Sequence, residues 1–238
     1  MRLQTGVKMC SRLPDHVSYE EGALLEPLSV GVHACRRSGV TVGSKVLICG
    51  AGPIGLVCLQ VAKAMGAAQV VITDIDSQRL EFARQMGAEV TVHVTSRDGR
   101  EVADHVVQVL GCNPDVTIEC SGAETSIHAG IYATEPGGVL MIVGLGRPMA
   151  TIPLLDAALK EVDIRGNLRY ANEYLLKIHV FPYTYSYPTA LAMIASGQVN
   201  VKPLVSHRYS LEQTLEAFEF AKKGEGIKVM IHCDKTKA

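Results

Sequence analysis

Residues 45–55 read KVLICGAGPIG, and the order of residue types in this stretch decides the fold. Lys45 to Cys49 is a short apolar run with β-branched members, which predicts a buried strand. Gly50-Ala51-Gly52-Pro53-Ile54-Gly55 follows at once with the spacing GxGxxG. The spacing alone is a weak signal, because glycine is common. Its place, directly after a strand and at the opening of a helix over about 54–65, is what a dinucleotide-binding turn requires. Gly50 then permits the tight turn, Gly52 lets the backbone approach a pyrophosphate, and Gly55 lets the helix lie close to the strand. Pro53 and Ile54 open that helix, whose free N–H groups and positive dipole end suit phosphate.

Outward from this turn the same alternation repeats. Further strands are predicted at 69–73 (QVVIT), 89–94, 115–119 (DVTIE), 138–143 (GVLMIV) and 163–168, with helices at 78–86, 100–110 and 124–133 between them. Strands alternating with helices predict an α/β domain: a Rossmann doubly wound parallel sheet of six strands, order 3-2-1-4-5-6, covered on both faces. Before it, 20–37 reads as a helix that Pro27 must kink or restart. After Tyr170 the pattern becomes irregular. Phe181 to Pro188 (FPYTYSYP) reads as a loop, 189–196 as a short helix, 205–209 and 227–233 as strands, and 211–223 as a helix between them. The expected organisation is 1–20 as a remnant of another lobe, 21–170 as the dinucleotide-binding domain, 171–188 as an inserted loop and 189–238 as a C-terminal segment.

Asp74 ends the second strand, about 20 residues beyond the glycines, where an acid accepts hydrogen bonds from ribose hydroxyls and repels a 2′-phosphate. NAD is therefore expected over NADP. The bland alternative for Asp74 is a cap on the next helix. Arg79 stands one helical turn on, either flanking the adenine or as a solvated helix arginine. Val143-Gly144-Leu145-Gly146 closes the fifth strand, where the glycines admit either a nicotinamide or an ordinary β-turn. Methyltransferases that use S-adenosylmethionine share a glycine turn and an acid after the second strand. They rarely show all three glycines, so they stand as the minority reading.

Composition excludes other classes. The formal net charge of −1, with Arg36-Arg37 as the largest basic cluster, argues against nucleic acid. No apolar run is long enough to span a membrane and MRLQTGVKMC is no secretory leader, so a cytoplasmic location is expected. The seven cysteines are odd in number, none forms a Cys-x-x-Cys pair, and several lie in apolar runs. Neither a disulfide framework nor a local zinc knot is expected from them.

The segments LPDHVSYEEGALLEPLSVGVHACRR, VLICGAGPIG, AKAMGAAQVVITD, IECSGAE and PGGVLMIVGLG together resemble the zinc-dependent medium-chain dehydrogenases. VDIRGNLRY, VNVKPLVSHRYSLEQTLEAFE and GIKVMIHCD are similar to the sorbitol (L-iditol) dehydrogenase branch of that family. The resemblance runs from about Leu13 to Asp234. It implies NAD-dependent oxidation of a polyol to a ketose. It also implies cofactor contacts at Ile54, Asp74, Arg79, Val143, Gly144, Leu145, Asn167, Leu168 and Arg169. It places Glu26 at the catalytic zinc region and the polyol, and Arg169 and Tyr170 on the polyol. From the residues alone the bland reading is favoured for all three: Glu26 a solvated helix acid, Arg169 a surface ion-pair partner and Tyr170 a core aromatic with its hydroxyl outside.

The resemblance also implies a GroES-like lobe that carries zinc, whose ligands have no counterpart in these residues. Glu26 alone cannot replace three protein ligands. The chain is therefore expected to be truncated, to bind NAD and to lack polyol turnover. An insertion near 173–187 is expected to disturb Arg169 and Tyr170. A homo-oligomer through the edge strand 163–168 is expected from the family. The alternatives are a non-catalytic NAD-binding module that joins full-length subunits, and a zinc-independent reductase of the same superfamily.

Overall fold

The computed structural model describes residues 12–170 and 186–233. Along the chain the elements are α1 (Tyr19–Ala23), α2 (Leu25–Ser38), β1 (Lys45–Cys49), α3 (Pro53–Ala64), β2 (Gln69–Asp74), α4 (Ser77–Gln85), β3 (Val90–His93) and α5 (Gly99–Leu110). They continue as β4 (Val116–Glu119), α6 (Glu124–Ala133), β5 (Val139–Ile142), α7 (Leu154–Leu159), β6 (Asp163–Gly166), α8 (Ser186–Ala195), β7 (Val205–Ser210), α9 (Thr214–Lys223) and β8 (Lys228–His232). Six strands form one parallel sheet in the order β3-β2-β1-β4-β5-β6, and β7 and β8 pair parallel in a second. The α/β class and the doubly wound order expected from the sequence are therefore the ones adopted.

Burial on both faces explains why β1 reads as an unbroken apolar run. Val46 and Ile48 join the core under α2, α3 and α4, while Leu47 and Cys49 join the core under α5 and α6. Its register, Lys45 opposite Gln69 and Val46 opposite Val116, sets the glycine turn between two neighbouring strand ends.

Three local readings are corrected. The helix break before the sheet falls at Leu24, the shared cap of α1 and α2, and not at Pro27. Pro27 sits in the first turn of α2, where no intrahelical N–H is required of it. A capping box between Ser18 and Glu21 starts α1 (Ser18 Oγ accepts from Glu21 N at 3.3 Å). Helix α7 had no counterpart in the sequence reading; it packs Ala157 beside Ile131, Leu140 and Val162 in a small third core. Helix α8 begins at Ser186, so the end of the expected 181–188 loop is helical, with Pro188 in its first turn. The rest of that loop and of the 173–187 insertion lies outside the described residues.

The core crosses the boundary expected near residue 188. Ala190, Ile194, Val199, Val201, Leu204 and Val205 are buried in the same cluster as the β1 and α3 side chains. Farther on, β7-α9-β8 is tied back to α1 by Arg208, whose Nε and Nη2 donate to the two Glu20 oxygens at 2.7 and 2.9 Å. His232 Nε2 adds a 3.0 Å contact to Glu20 Oε1. The outer face of α9 is not covered: Leu215 and Phe218 are 80% and 66% exposed. No helix among the described residues is long and apolar enough to cross a membrane.

Candidate functional site

The site is the C-terminal edge of the parallel sheet, where β1 and β4 run side by side but lead to connections on opposite faces. Gly50 leaves β1 with φ +102°, a left-handed conformation that disfavours side chains, and its N–H donates to Thr73 O at 2.7 Å. A Cβ on Gly55 would lie 1.8 Å from Gly50 O, so only glycine lets α3 start this close to the strand. Gly52 differs. A Cβ there would meet nothing within 4 Å, and the residue caps α3 with φ −75°. No side chain caps this helix, and Pro53 supplies its first position. The first-turn N–H groups of α3, at Ile54 and Gly55, therefore sit beside open space in front of Gly52.

Asp74 closes the same turn from β2. It is 8% exposed; Oδ2 accepts from Ala51 N at 2.7 Å and Oδ1 from Asp76 N at 2.9 Å. The helix-cap alternative for Asp74 fails, because Asp76 does that work: its Oδ1 accepts from Gln78 N at 2.8 Å and from Arg79 N at 3.4 Å. Asp74 thus joins the glycine turn to the end of β2. Arg79 is half-exposed beside Asp76, with Nη2 3.3 Å from Gly224 O at the end of α9.

Two further strand ends meet next to this turn. Val143 and Gly144 both donate to Glu119 O, at 2.8 and 2.9 Å. A Cβ on Gly144 would fall 2.2 Å from Gly122 N, and one on Gly146 would fall 2.0 Å from Gly122 O. The first demand on these glycines is therefore the close crossing of two loops. Leu145, between them, is 89% exposed.

The sequence reading missed Glu119, which holds this crossing together. It is fully buried, and one oxygen accepts from Ser121 N at 2.8 Å, Ser121 Oγ at 2.5 Å and Gly122 N at 2.9 Å. Burial pushes its carboxyl above the usual carboxylate range, against the pull of those donors. The string Glu-Cys-Ser-Gly carried no signal for this role. An acid at a strand end is common, and only the turn shows that its side chain folds back on its own loop.

Beyond β6, Asn167 N donates to Ile142 O at 2.8 Å and Asn167 Nδ2 to Arg169 O at 3.3 Å. Asn167 Oδ1 is buried with no hydrogen-bond partner among the described residues. Leu168 is 76% exposed, and Arg169 is exposed at φ +51°, a conformation a non-glycine residue holds at a cost. Tyr170 is half-buried against the main core. Its ring lies edge-on to Tyr187, centroids 5.0 Å apart. The phenol of Tyr187 is pushed up by burial, by a hydrogen bond with Tyr170 and by the charge of Glu26. Tyr187, in α8, thus lies against Tyr170. It lies in the expected insertion, so nothing in the sequence pointed to it.

Gly50, Gly52, Pro53, Ile54, Gly55 and Asp74 thus come together as one cradle, with Val143–Leu145 on the neighbouring strand end. The open face of Gly52, the uncapped helix start and the orphaned Asn167 Oδ1 fit a dinucleotide. A catalytic zinc does not fit the described residues, because no group of three His, Cys, Asp or Glu side chains among them is placed to hold a metal ion.

Residues 53–195, more than half of the chain, match the zinc-binding dehydrogenase family. The chain belongs to that family. Among curated zinc-binding dehydrogenase relatives, sorbitol dehydrogenase of Macaca fascicularis is 57% identical over 225 residues, covering 94% of this chain and 59% of the relative. The chain thus spans about three-fifths of the length of the curated relatives it matches. Among solved structures, L-idonate 5-dehydrogenase from Escherichia coli superposes with a TM-score of 0.79 at 30% identity, covering 94% of this chain and 60% of that one. A putative zinc-binding dehydrogenase from Sinorhizobium meliloti bound to NADP superposes equally well, at 0.79 and 26% identity, covering 93% and 61%.

Proposed function

We propose that this chain supplies the cofactor-binding half of an NAD-dependent polyol dehydrogenase, which oxidises a secondary alcohol of sorbitol or L-iditol type to a ketose. The observation that carries the cofactor reading is the pairing of Gly52, open in front of an uncapped helix start, with Asp74 at the end of β2. The polyol reading is supported by the 57% identity to sorbitol dehydrogenases.

The nicotinamide, when bound, supplies the hydride acceptor. The residues of this chain bind and orient it. Helix α3 offers the N–H groups of Ile54 and Gly55 to the pyrophosphate, and its dipole adds about half a unit of positive charge there. Asp74 takes the ribose hydroxyls and disfavours a 2′-phosphate, with Arg79 beside it. Val143, Gly144 and Leu145, with Asn167, Leu168 and Arg169, bound the nicotinamide end. Glu26, Arg169 and Tyr170 face the polyol, and Tyr187 holds Tyr170. The described residues alone do not make a zinc site, and the chain on its own is expected to bind NADH with little polyol turnover. Ile164 of the edge strand β6 is 39% exposed, and Leu155 and Leu159 of the preceding helix α7 are 70% and 78% exposed, which supports self-association through this part of the chain.

Calorimetric titration with NADH and NADPH, on the parent chain and on Asp74→Ala, tests the cofactor reading. Saturable NADH binding, tighter than NADPH and weakened by the substitution, is the expected result. A folded parent chain that binds neither would overturn it. Asp74 also holds Ala51 N, so the variant's melting temperature is measured alongside.

A further inference from the structure

Three cysteines from distant parts of the chain meet beneath the glycine turn. Cys35 lies on α2, Cys58 on α3, and Cys120 directly follows β4. The Sγ atoms of Cys58 and Cys120 are 4.0 Å apart, and Cys35 Sγ lies 3.7 Å from the carbonyl oxygen of Cys58. Cys35 and Cys58 are fully buried, whereas Cys120 is half-buried. All three are free thiols.

The geometry points to Cys58 and Cys120 as a reversible thiol–disulfide pair, a modification site set into the back of the cofactor turn. Sulfurs at 4.0 Å must close by about 2 Å to bond. The asymmetry of the pair suits stepwise oxidation by hydrogen peroxide. The oxidant reaches Cys120, the more accessible sulfur. That sulfur attacks the O–O bond, one oxygen stays on it as a sulfenic acid, and the other leaves as water with the thiol proton. Cys58 sulfur then attacks Cys120 sulfur, the S–O bond breaks, and the departing hydroxide leaves as water with the Cys58 proton. Two thiols and one peroxide give one disulfide and two waters. The hydrogen bond with Cys58, and then burial, push the Cys35 and Cys120 thiols up, and the same bonds pull the Cys58 thiol down. Cys58, its sulfur 4.0 Å from that of Cys120, takes the attacking role in the second step.

The position gives the bond a consequence. The loop that starts at Cys120 backs the glycine turn: a Cβ on Gly50 would lie 3.3 Å from Ser121 N and 3.5 Å from the carbonyl carbon of Cys120. Drawing Cys120 towards α3 shifts the loop on which Gly50 rests, so oxidation weakens dinucleotide binding. This coupling, unlike the disulfide itself, rests on the cofactor reading above.

The test is oxidation of the parent chain with one equivalent of hydrogen peroxide, followed by alkylation and non-reducing peptide mapping. The expected product is a peptide pair joining Cys58 to Cys120, with a loss of about 2 Da for the two thiol hydrogens, restored by dithiothreitol. A link between Cys35 and Cys58, oxidation confined to Cys112 or Cys233, or sulfinic acid on Cys120 without a link would each overturn the pairing. NADH titration of the oxidised and reduced forms reads the coupling. Equal affinity in a chain that carries the mapped bond would refute the coupling and leave the pair standing, whereas no NADH binding in either form would strike the cofactor reading instead.

Discussion

Gly52→Ala separates a glycine kept for the ligand from one kept for the fold. At Gly52 the backbone has φ −75°, which alanine adopts freely, and the new methyl meets no atom of the chain within 4 Å. Replacing glycine by alanine in an allowed conformation stabilises by about 0.4–1 kcal/mol through the unfolded state. Alanine is a poorer helix N-cap than glycine, by up to about 1 kcal/mol. The two effects oppose, so stability should change by roughly 0.5 kcal/mol or less, about 2 °C in melting temperature. The methyl fills the space in front of the α3 N-terminus, and NADH affinity should fall at least about tenfold, 1.4 kcal/mol. At Gly55 the order reverses. The methyl would sit 1.8 Å from Gly50 O and must retreat by more than an ångström to reach ordinary contact. Overpacking of this kind costs about 1–3 kcal/mol, and Gly55→Ala should melt some 2–10 °C lower. Calorimetry with NADH and thermal melts on both variants check the pair. A folded Gly52→Ala chain that binds NADH like the parent would refute the assignment of this space to the cofactor.

Other outcomes follow from the same geometry. Glu119→Ala removes the acceptor of two backbone N–H groups at the crossed loops, so it should cost roughly 2–5 kcal/mol by denaturant unfolding, and Glu119→Gln, which keeps one acceptor, should recover part of that. Glu20 is held below its ordinary value of 4.5, first by hydrogen bonds from Arg208, then by the charge of Arg208 and by His232. A lowered carboxyl contributes stability that is present above that ordinary value and is lost as pH falls through the folded one. The protection factors of the β7 and β8 amides, corrected for the intrinsic pH dependence of exchange, should therefore fall below about pH 4.5, and Glu20→Gln should flatten that dependence. Tyr187→Phe should leave the melting temperature nearly unchanged, while Tyr187→Ala should lower it by removing the ring against Tyr170. Sedimentation of Leu159→Glu tests the β6 edge: a smaller species than the parent's is expected if copies associate there.

Much of this was legible along the chain because it is local. A strand buried on both faces must be apolar throughout, so KVLIC and QVVIT announce themselves, and parallel strands need the helices between them. A tight turn onto a helix leaves a fixed spacing of glycines, so Gly50, Gly52, Gly55 and Asp74 were readable by position. Tertiary structure alone decided where distant residues meet. Asp76 rather than Asp74 caps α4, and Glu119 folds back on Ser121 and Gly122. Gly144 is small because Gly122 crosses it, and Tyr187 lies against Tyr170. Cys58 and Cys120 approach to 4.0 Å across 62 residues. None of these contacts has a period or a spacing, because each depends on the packing of strand ends and helix faces brought together by the whole sheet. The sequence alone determines the sheet and the position of the cofactor turn; the folded chain decides which groups complete them.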